Sequence, residues 1–308
     1  MRAFIFPGQG SQAVGMGAAL ADASRAAADV FAEVDEALRQ NLFRLMRDGP
    51  DEELKLTENA QPAIMAHSLA VLRTWGVRLV DTASFVAGHS LGEYSALSAA
   101  GSFDLATTAK LLKLRGQAMQ RAVPVGQGAM AALLGADLEL AQKIADAAAQ
   151  GDVCTVANDN DPGQVVISGH KAAIDRATEM AKEMGAKRAV PLPVSAPFHC
   201  PLMQPAAEAM RDALSYVVIE PPAVPVYANV TAQPETDADT IRNQLVEQVT
   251  GMVRWRESVT NMFDAGVHEF VEVGGKVLGT MVKRIAPDAK VTSIVTIEDV
   301  EALAKEIA

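Results

Sequence analysis

The five residues Gly88-His89-Ser90-Leu91-Gly92 constrain this chain more than any other stretch. They form a G-x-S-x-G sequence, preceded by Ala83-Ser84-Phe85-Val86-Ala87 and followed by Glu93-Tyr94-Ser95-Ala96-Leu97-Ser98-Ala99-Ala100 before Gly101. The first flank predicts a short buried strand, the second a helix stopped by glycine. A serine on a sharp strand-to-helix turn is the setting in which this motif carries a nucleophile. Glycines suit such a turn because strand and helix pass too close for a Cβ. The helix N-terminus brings N–H groups and a positive dipole end beside Oγ. The plainer alternative is a tight turn whose serine only caps the helix.

A nucleophile needs a packed body around it, and 308 residues suffice for one large domain or for a main domain carrying an insertion. Hydrophobic residues make up 49% and charged residues 21%, which suits a soluble globular protein. A net charge of −11 argues against a general nucleic-acid binder, which needs a cationic footprint. Cys154 and Cys200 lie far apart with no C-x-x-C, which excludes a disulfide scaffold and a cysteine-rich zinc site and fits a reducing compartment. Met1 to Phe6 is too short and too soon interrupted by Pro7 for a signal peptide, and no apolar run reaches membrane-spanning length. The expectation is a cytoplasmic protein that is neither a membrane nor a nucleic-acid binder.

Along the chain, Ala3-Phe4-Ile5-Phe6 predicts a buried strand opening into the loop Gly8-Gln9-Gly10-Ser11-Gln12-Ala13. Gly8-x-Gly10-x-x-Ala13 is a relaxed dinucleotide fingerprint, which also needs a second strand ending in an acidic residue about twenty positions on. Here residues 18–38 have helical periodicity throughout, so the loop is better taken as backbone that approaches something closely. Residues 41–59 look irregular, and Asn59-Ala60-Gln61-Pro62 starts a helix running to about Trp75, with Pro62 in its first turn. Ser102-Phe103-Asp104 caps a helix to about Ala122, with an apolar stripe of Leu111, Leu114 and Ala118. Arg115 lies beside that stripe; a surface arginine lying over its own helix is the plain alternative.

From Gly126 the texture changes. Strand 128–134, helix 138–149, strand 153–157, the turn Asn158-Asp159-Asn160-Asp161-Pro162-Gly163, strand 164–168, helix 171–184 and strand 187–192 give β-α-β-β-α-β, the ferredoxin-like order. Residues 126–193 are therefore expected as a small subdomain inserted into a larger α/β body made of 1–125 and 194–308. The rest alternates again: a loop 194–201, helix 205–214, strand 224–230, helix 238–249, helix 257–264, strand 268–273, a helix and a final strand near Val291.

Five histidines compete as the base for a serine nucleophile. His89 adjoins Ser90, but neighbouring side chains on a tight turn point apart. His67 and His268 sit in regular elements and His170 at a cap. His199 lies in a loop between Pro197 and Pro201, rigid enough to fix it as a base or as a structural histidine. No Asp or Glu stands out as a third member of a triad.

Three motifs, Phe6-Pro7-Gly8-Gln9-Gly10-Ser11-Gln12, Gly88-His89-Ser90-Leu91-Gly92-Glu93-Tyr94 and Pro193-Val194-Ser195-Ala196-Pro197-Phe198-His199, together resemble the malonyl-CoA:acyl carrier protein transacylase family of bacterial fatty-acid synthesis. Val165-Val166-Ile167-Ser168-Gly169 and Val271-Glu272-Val273-Gly274 match as well, so the resemblance runs through nearly the whole chain in order. It implies an α/β-hydrolase-like core with the ferredoxin-like insertion. It also implies transfer of malonyl from malonyl-CoA to the phosphopantetheine thiol of acyl carrier protein, by a ping-pong route through malonyl-Ser90.

By the same resemblance His199 is the base, the N–H groups of Gln9 and Leu91 form the oxyanion hole, and Arg115 binds the malonyl carboxylate. Phe198 crowds a methyl branch and the carbonyl of Gln248 orients His199. No metal and no cofactor beyond the two substrates is implied. Acyl carrier protein would dock on a local basic rim, for which Lys187, Arg188, Lys276, Lys283 and Arg284 are candidates. A monomer is expected, free-standing because its first strand begins almost at Met1. The rivals are a serine esterase or thioesterase, a non-catalytic binding module, and a polyketide-type acyltransferase.

Overall fold

The computed structural model describes residues 1–194 and 196–307; Ser195, part of the third motif, lies outside the described residues. The first strand, β1 (Arg2–Phe6), is buried from Ala3 onward on both faces, which is why its sequence is an unbroken apolar run rather than an alternating one. It is central in a six-stranded sheet with β2 (Phe85–Gly88) on one side and a strand at Glu269–Val273 on the other. Numbered in chain order, β3 (Gly128–Leu134), β4 (Cys154–Asp161), β5 (Gln164–His170) and β6 (Arg188–Pro191) form a separate sheet, while β7 (Val226–Tyr227), β8 (Pro234–Glu235), β9 (Glu269–Val273) and β10 (Lys290–Ile294) return to the first. The large sheet has the order β10-β9-β1-β2-β7-β8, parallel except for the β7–β8 edge. In the β1–β2 register Phe6 faces Gly88. Both loops that leave the carboxyl ends of these strands, Pro7–Gln12 and His89–Ser90, therefore emerge side by side, where open α/β sheets place their ligand sites.

The four-stranded sheet is antiparallel in the order β4-β5-β3-β6, the ferredoxin-like arrangement. Its two faces pack on different cores. Ala131, Leu133, Val165 and Ile167 meet Ile144 and Ala148 of the helix Leu138–Ala149 and Ile174 of Lys171–Met180, whereas Met130, Ala132 and Val166 join the main core with Phe198 and Met119. The period-two alternation of a strand sends successive side chains of β3 into the two cores.

Several expected elements differ. Asn158-Asp159-Asn160-Asp161 is not a turn but the last half of β4, and only Pro162-Gly163 turns. Asn and Asp are poor strand formers by propensity, yet these four residues are buried: Asn158 bridges to Val253 through its backbone, and the side chains of Asp159, Asn160 and Asp161 meet Arg256, His89 and Arg284. The helix predicted over 18–38 breaks at Ser24, whose side chain accepts from the Ala27 N–H and restarts it as Arg25–Leu38. Residues 41–59 hold two short helices, Leu42–Asp48 and Asp51–Leu54. The next helix begins at Thr57, so Pro62 lies inside Thr57–Trp75 rather than in its first turn. The strand predicted over 224–230 shortens to β7, and a C-terminal helix, Ile297–Ile307, buries Val300 and Leu303 in the main core. No helix among the described residues is long and apolar enough to cross a membrane.

Candidate active site

Ser90 occupies a strained backbone conformation of positive φ, φ 54° and ψ −110°, immediately before the helix Leu91–Ala99. Such a conformation costs a non-glycine residue about 1–3 kcal/mol and persists only when its surroundings hold it. Both main-chain groups of Ser90 are held by side chains. Its N–H donates to Asn229 Oδ1 at 2.7 Å, and its carbonyl accepts from Gln248 Nε2 at 3.1 Å. The flanking glycines answer to close approach: a Cβ at Gly88 would lie 1.9 Å from Gly92 C, and one at Gly92 would lie 2.2 Å from Phe6 O.

His199 Nε2 stands 2.8 Å from Ser90 Oγ. Its Nδ1 faces two carbonyls, Gln248 O at 2.8 Å and Gly251 O at 3.2 Å. Carbonyls only accept, so the proton must sit on Nδ1, which leaves Nε2 bare and ready for the serine hydroxyl proton. Burial above all, with the Arg115 cation nearby, pushes the His199 pKa down to about 3. The ring is therefore neutral near pH 7, the state a general base requires. No carboxylate among the described residues contacts it. Of the other histidines, His89 turns away from Oγ to Asn160 Oδ1 at 2.8 Å, and His67 Nδ1 lies 3.2 Å from Gly274 O. His170 accepts from the Val153 N–H at 2.9 Å, and His268 sits just ahead of β9, edge-on to Phe263.

Arg115 is not a surface arginine; it is 1% exposed, and its guanidinium lies 5.7 Å from the centre of the Tyr94 ring. The close crossing of Leu105–Ala122 over Thr57–Trp75, where a Cβ at Gly116 would come within 2.5 Å of Glu58 Cα, brings it to Gln61. Nη1 donates to Gln61 Oε1 at 2.7 Å; Nη2 donates to Gln248 Oε1 at 2.8 Å and to Ser90 Oγ at 3.2 Å. Gln61 is itself fixed by Thr57 Oγ1, which donates to Gln9 Oε1 at 2.9 Å. A cavity of about 440 Å³ collects Ser90, His199, Arg115, Gln9, Leu91 and Phe198, with Met130 of the small sheet opposite. The backbone N–H groups of Gln9 and Leu91 donate to no partner among the described residues. Gln248 is buried behind these groups rather than in the cavity wall. A larger surface concavity, about 790 Å³ beside Phe103 and Tyr216, contains none of this chemistry.

The profile of the acyl transferase domain family matches residues 3–295. The malonyl CoA-acyl carrier protein transacylase of Escherichia coli (strain K12) is 48% identical over 284 residues, 92% of this chain and 92% of its own. This chain belongs to the malonyl-CoA:acyl carrier protein transacylase family. The transacylase of Bacillus subtilis (strain 168) is 45% identical over 301 residues, 97% of this chain and 95% of its own. The acyl-carrier-protein-S-malonyltransferase structure from Bartonella henselae superposes with a TM-score of 0.97 at 50% identity, covering 99% of both chains. A malonyl-transacylase solved with a type II polyketide synthase acyl-carrier protein superposes with a TM-score of 0.96 at 41% identity, covering 99% of both.

Some members of this constellation had no local signal. Gln61, Glu93 and Asn229 reach the site through tertiary packing; the only hint for the first two was a polar residue on an otherwise apolar helix, and Asn229 sits in the turn after β7. Two of the five basic residues offered for a docking rim are engaged internally: Lys283 Nζ donates to Ala289 O at 2.5 Å, and Arg284 pairs with Asp161 at 2.9 Å. Among the described residues no group of three or more His, Cys, Asp or Glu is placed to hold a metal ion.

Proposed function

We propose that the chain moves a malonyl group from malonyl-CoA to the phosphopantetheine thiol of acyl carrier protein, through an ester on Ser90, as a cytoplasmic monomer needing no metal or organic cofactor. His199 Nε2 takes the Ser90 hydroxyl proton as Oγ attacks the thioester carbonyl. The resulting oxyanion is met by the N–H groups of Gln9 and Leu91, which donate to nothing else among the described residues. The intermediate collapses by breaking the C–S bond, and His199 returns its proton to the departing CoA thiolate. The second half runs in reverse: the carrier thiol gives its proton to His199, its sulfur attacks the malonyl ester, and Ser90 recovers the proton. The Gln248 and Gly251 carbonyls stabilise the imidazolium while it holds that proton.

The observation that carries this assignment is Arg115, a buried cation 3.2 Å from the nucleophile. Of its four Nη protons, Gln61, Gln248 and Ser90 Oγ engage three. Esterifying Ser90 frees one on Nη2, and one on Nη1 meets no acceptor among the described residues, so each Nη has a proton for a carboxylate. A simple esterase or thioesterase has no use for such a group. Phe198 in the cavity wall supports an unbranched malonyl unit over a methyl-branched one. We further propose that residues 126–193 act as one subdomain and 1–125 with 194–308 as the other.

Intact-mass and peptide analysis after incubation with malonyl-CoA is expected to find one malonyl group, on Ser90, which then moves to carrier-protein thiol. A label on another residue overturns the nucleophile assignment. Release of free malonate in step with CoA, without transfer, makes the protein a hydrolase instead.

A further inference from the structure

One buried acid near this site takes no part in the chemistry above. Glu93 lies in the first turn of Leu91–Ala99, 3% exposed. Its Oε2 accepts from Gln248 Nε2 at 2.6 Å and from the Asn229 backbone N–H at 3.2 Å. Those partners belong to the two residues whose side chains hold Ser90 by its N–H and its carbonyl, so one carboxyl group anchors both braces of the elbow.

Gln248 is the more consequential of the two. The ends of a carboxamide have nearly the same shape, and its neighbours decide which end faces which way. Arg115 can only donate, so Gln248 serves it only with Oε1 turned towards Nη2, as observed at 2.8 Å. A reversed amide would point N–H groups at a buried cation, a repulsive and unsatisfied contact. At the Nε2 end, Glu93 Oε2 makes the shortest contact, against 3.1 Å to Ser90 O and 3.5 Å to Asn229 Oδ1. The arrangement also keeps Glu93 one amide away from Arg115. In direct contact it would occupy the guanidinium face that an incoming carboxylate needs.

We propose that Glu93 is a positioning residue: its carboxyl oxygen fixes the Gln248 amide with oxygen towards Arg115, and thereby sets the hold of the guanidinium on the malonyl carboxylate. The inference rests on the malonyl-transfer assignment. What the site needs from Glu93 is an accepting oxygen at that place, in either protonation state. Burial raises the Glu93 pKa to about 7, so both states are populated near neutrality. A glutamine at 93 can supply the same oxygen; a methionine of similar volume cannot.

The test is the ratio of kcat/KM for malonyl-CoA to that for acetyl-CoA, read on one preparation so that unfolded protein cancels. Glu93→Met is expected to lower the ratio about tenfold or more, and Glu93→Gln to hold it within about threefold. Glu93→Asp, which keeps the charge but draws the oxygen back by one methylene, is expected to fall with the methionine variant and serves if that variant does not fold. An unchanged ratio in Glu93→Met, or in Glu93→Asp in its place, overturns the proposal. So does an equal loss in Glu93→Gln, which would assign the effect to charge. Wild-type protein that takes up no malonyl on Ser90 would instead sink the transfer assignment, before any variant is compared.

Discussion

Replacing Arg115 with alanine tests whether this site selects its acyl group by charge. The guanidinium is desolvated, stacked on Tyr94 and tied to two glutamines, so it enters the reaction already placed. Burial lowers its pKa, yet a guanidinium starts from so high a pKa that it remains charged at neutral pH. A malonyl carboxylate would receive two charge-assisted hydrogen bonds from it. Truncating one partner of such a buried pair costs about 2–5 kcal/mol. At about 1.4 kcal/mol per tenfold, that is a loss of roughly 30- to 5,000-fold in kcat/KM for malonyl-CoA. Acetyl-CoA brings no carboxylate; bound to the wild type it leaves a buried cation unpaired, so its transfer should rise in the variant. The two rates are measured separately with carrier protein as acceptor, with Arg115→Met as a control that fills the volume. Malonyl kcat/KM within about threefold of wild type in both variants would refute the role of Arg115.

Three further predictions concern the elbow and its base. Because His199 is held neutral, with its pKa near 3 against 6.5 for an ordinary histidine, the burst of CoA release should keep its rate from neutral pH down to about pH 5; a decline with its midpoint near 6.5 would contradict the geometry. The same depression has a stability sign. As pH falls from 6.5 towards 3 the unfolded chain takes up a proton that the folded site refuses, so the melting temperature should drop across that window. His67 and His89 act in the same direction, while Glu93, raised from 4.5 to about 7, opposes them by favouring the folded state as pH falls from 7 to 4.5. Gly92→Ala sets a Cβ 2.2 Å from a main-chain oxygen of β1, so helix and strand must separate; a destabilisation of at least about 3 kcal/mol is expected by chemical denaturation, and wild-type stability would show that the close approach is dispensable.

What could be foreseen from the chain was what is local in it. Strand, serine turn and helix occupy residues 83–101, and the β-α-β-β-α-β order of the small sheet is contiguous, so each leaves its own periodic signature. Arg115 announced itself only by standing beside an apolar stripe; its burial depends on a second helix, Thr57–Trp75, crossing at Gly116. That second helix shows why Gln61 went unseen. Apart from Glu58 it is buried from Thr57 through Leu72, so its polar Thr57, Asn59 and Gln61 lie in the interior rather than on a solvated face. Polar residues on such a helix must find partners inside, but sequence does not say which. Asn158 to Asp161 misled for the converse reason: turn-forming residues by composition, they are strand residues because Asn158 is bridged through its backbone, and the other three through their side chains, from across a sheet boundary.

That boundary also decides how the cavity keeps its shape. Four consecutive residues of β4 each reach a different group outside their own sheet. Asn158 bridges to Val253, with the Asp159 N–H donating to Val253 O at 3.0 Å. Asp159 holds Arg256 through both carboxylate oxygens at 3.0 Å, Asn160 meets His89, and Asp161 pairs with Arg284 at 2.9 Å. Asp159 and Asp161 are 2% and 1% exposed, so their ion pairs carry a desolvation cost that offsets much of the attraction. Such pairs add little to net stability, but leaving either acid unpaired is costly, and so they specify one seating of the small sheet against the large one. A slip by one residue would reverse every side chain of β4 and strand both acids. The third contact of the four is made to the residue beside the nucleophile. The wall that carries Met130 and the elbow that carries Ser90 are thus seated through the same strand, and the space between them has one width.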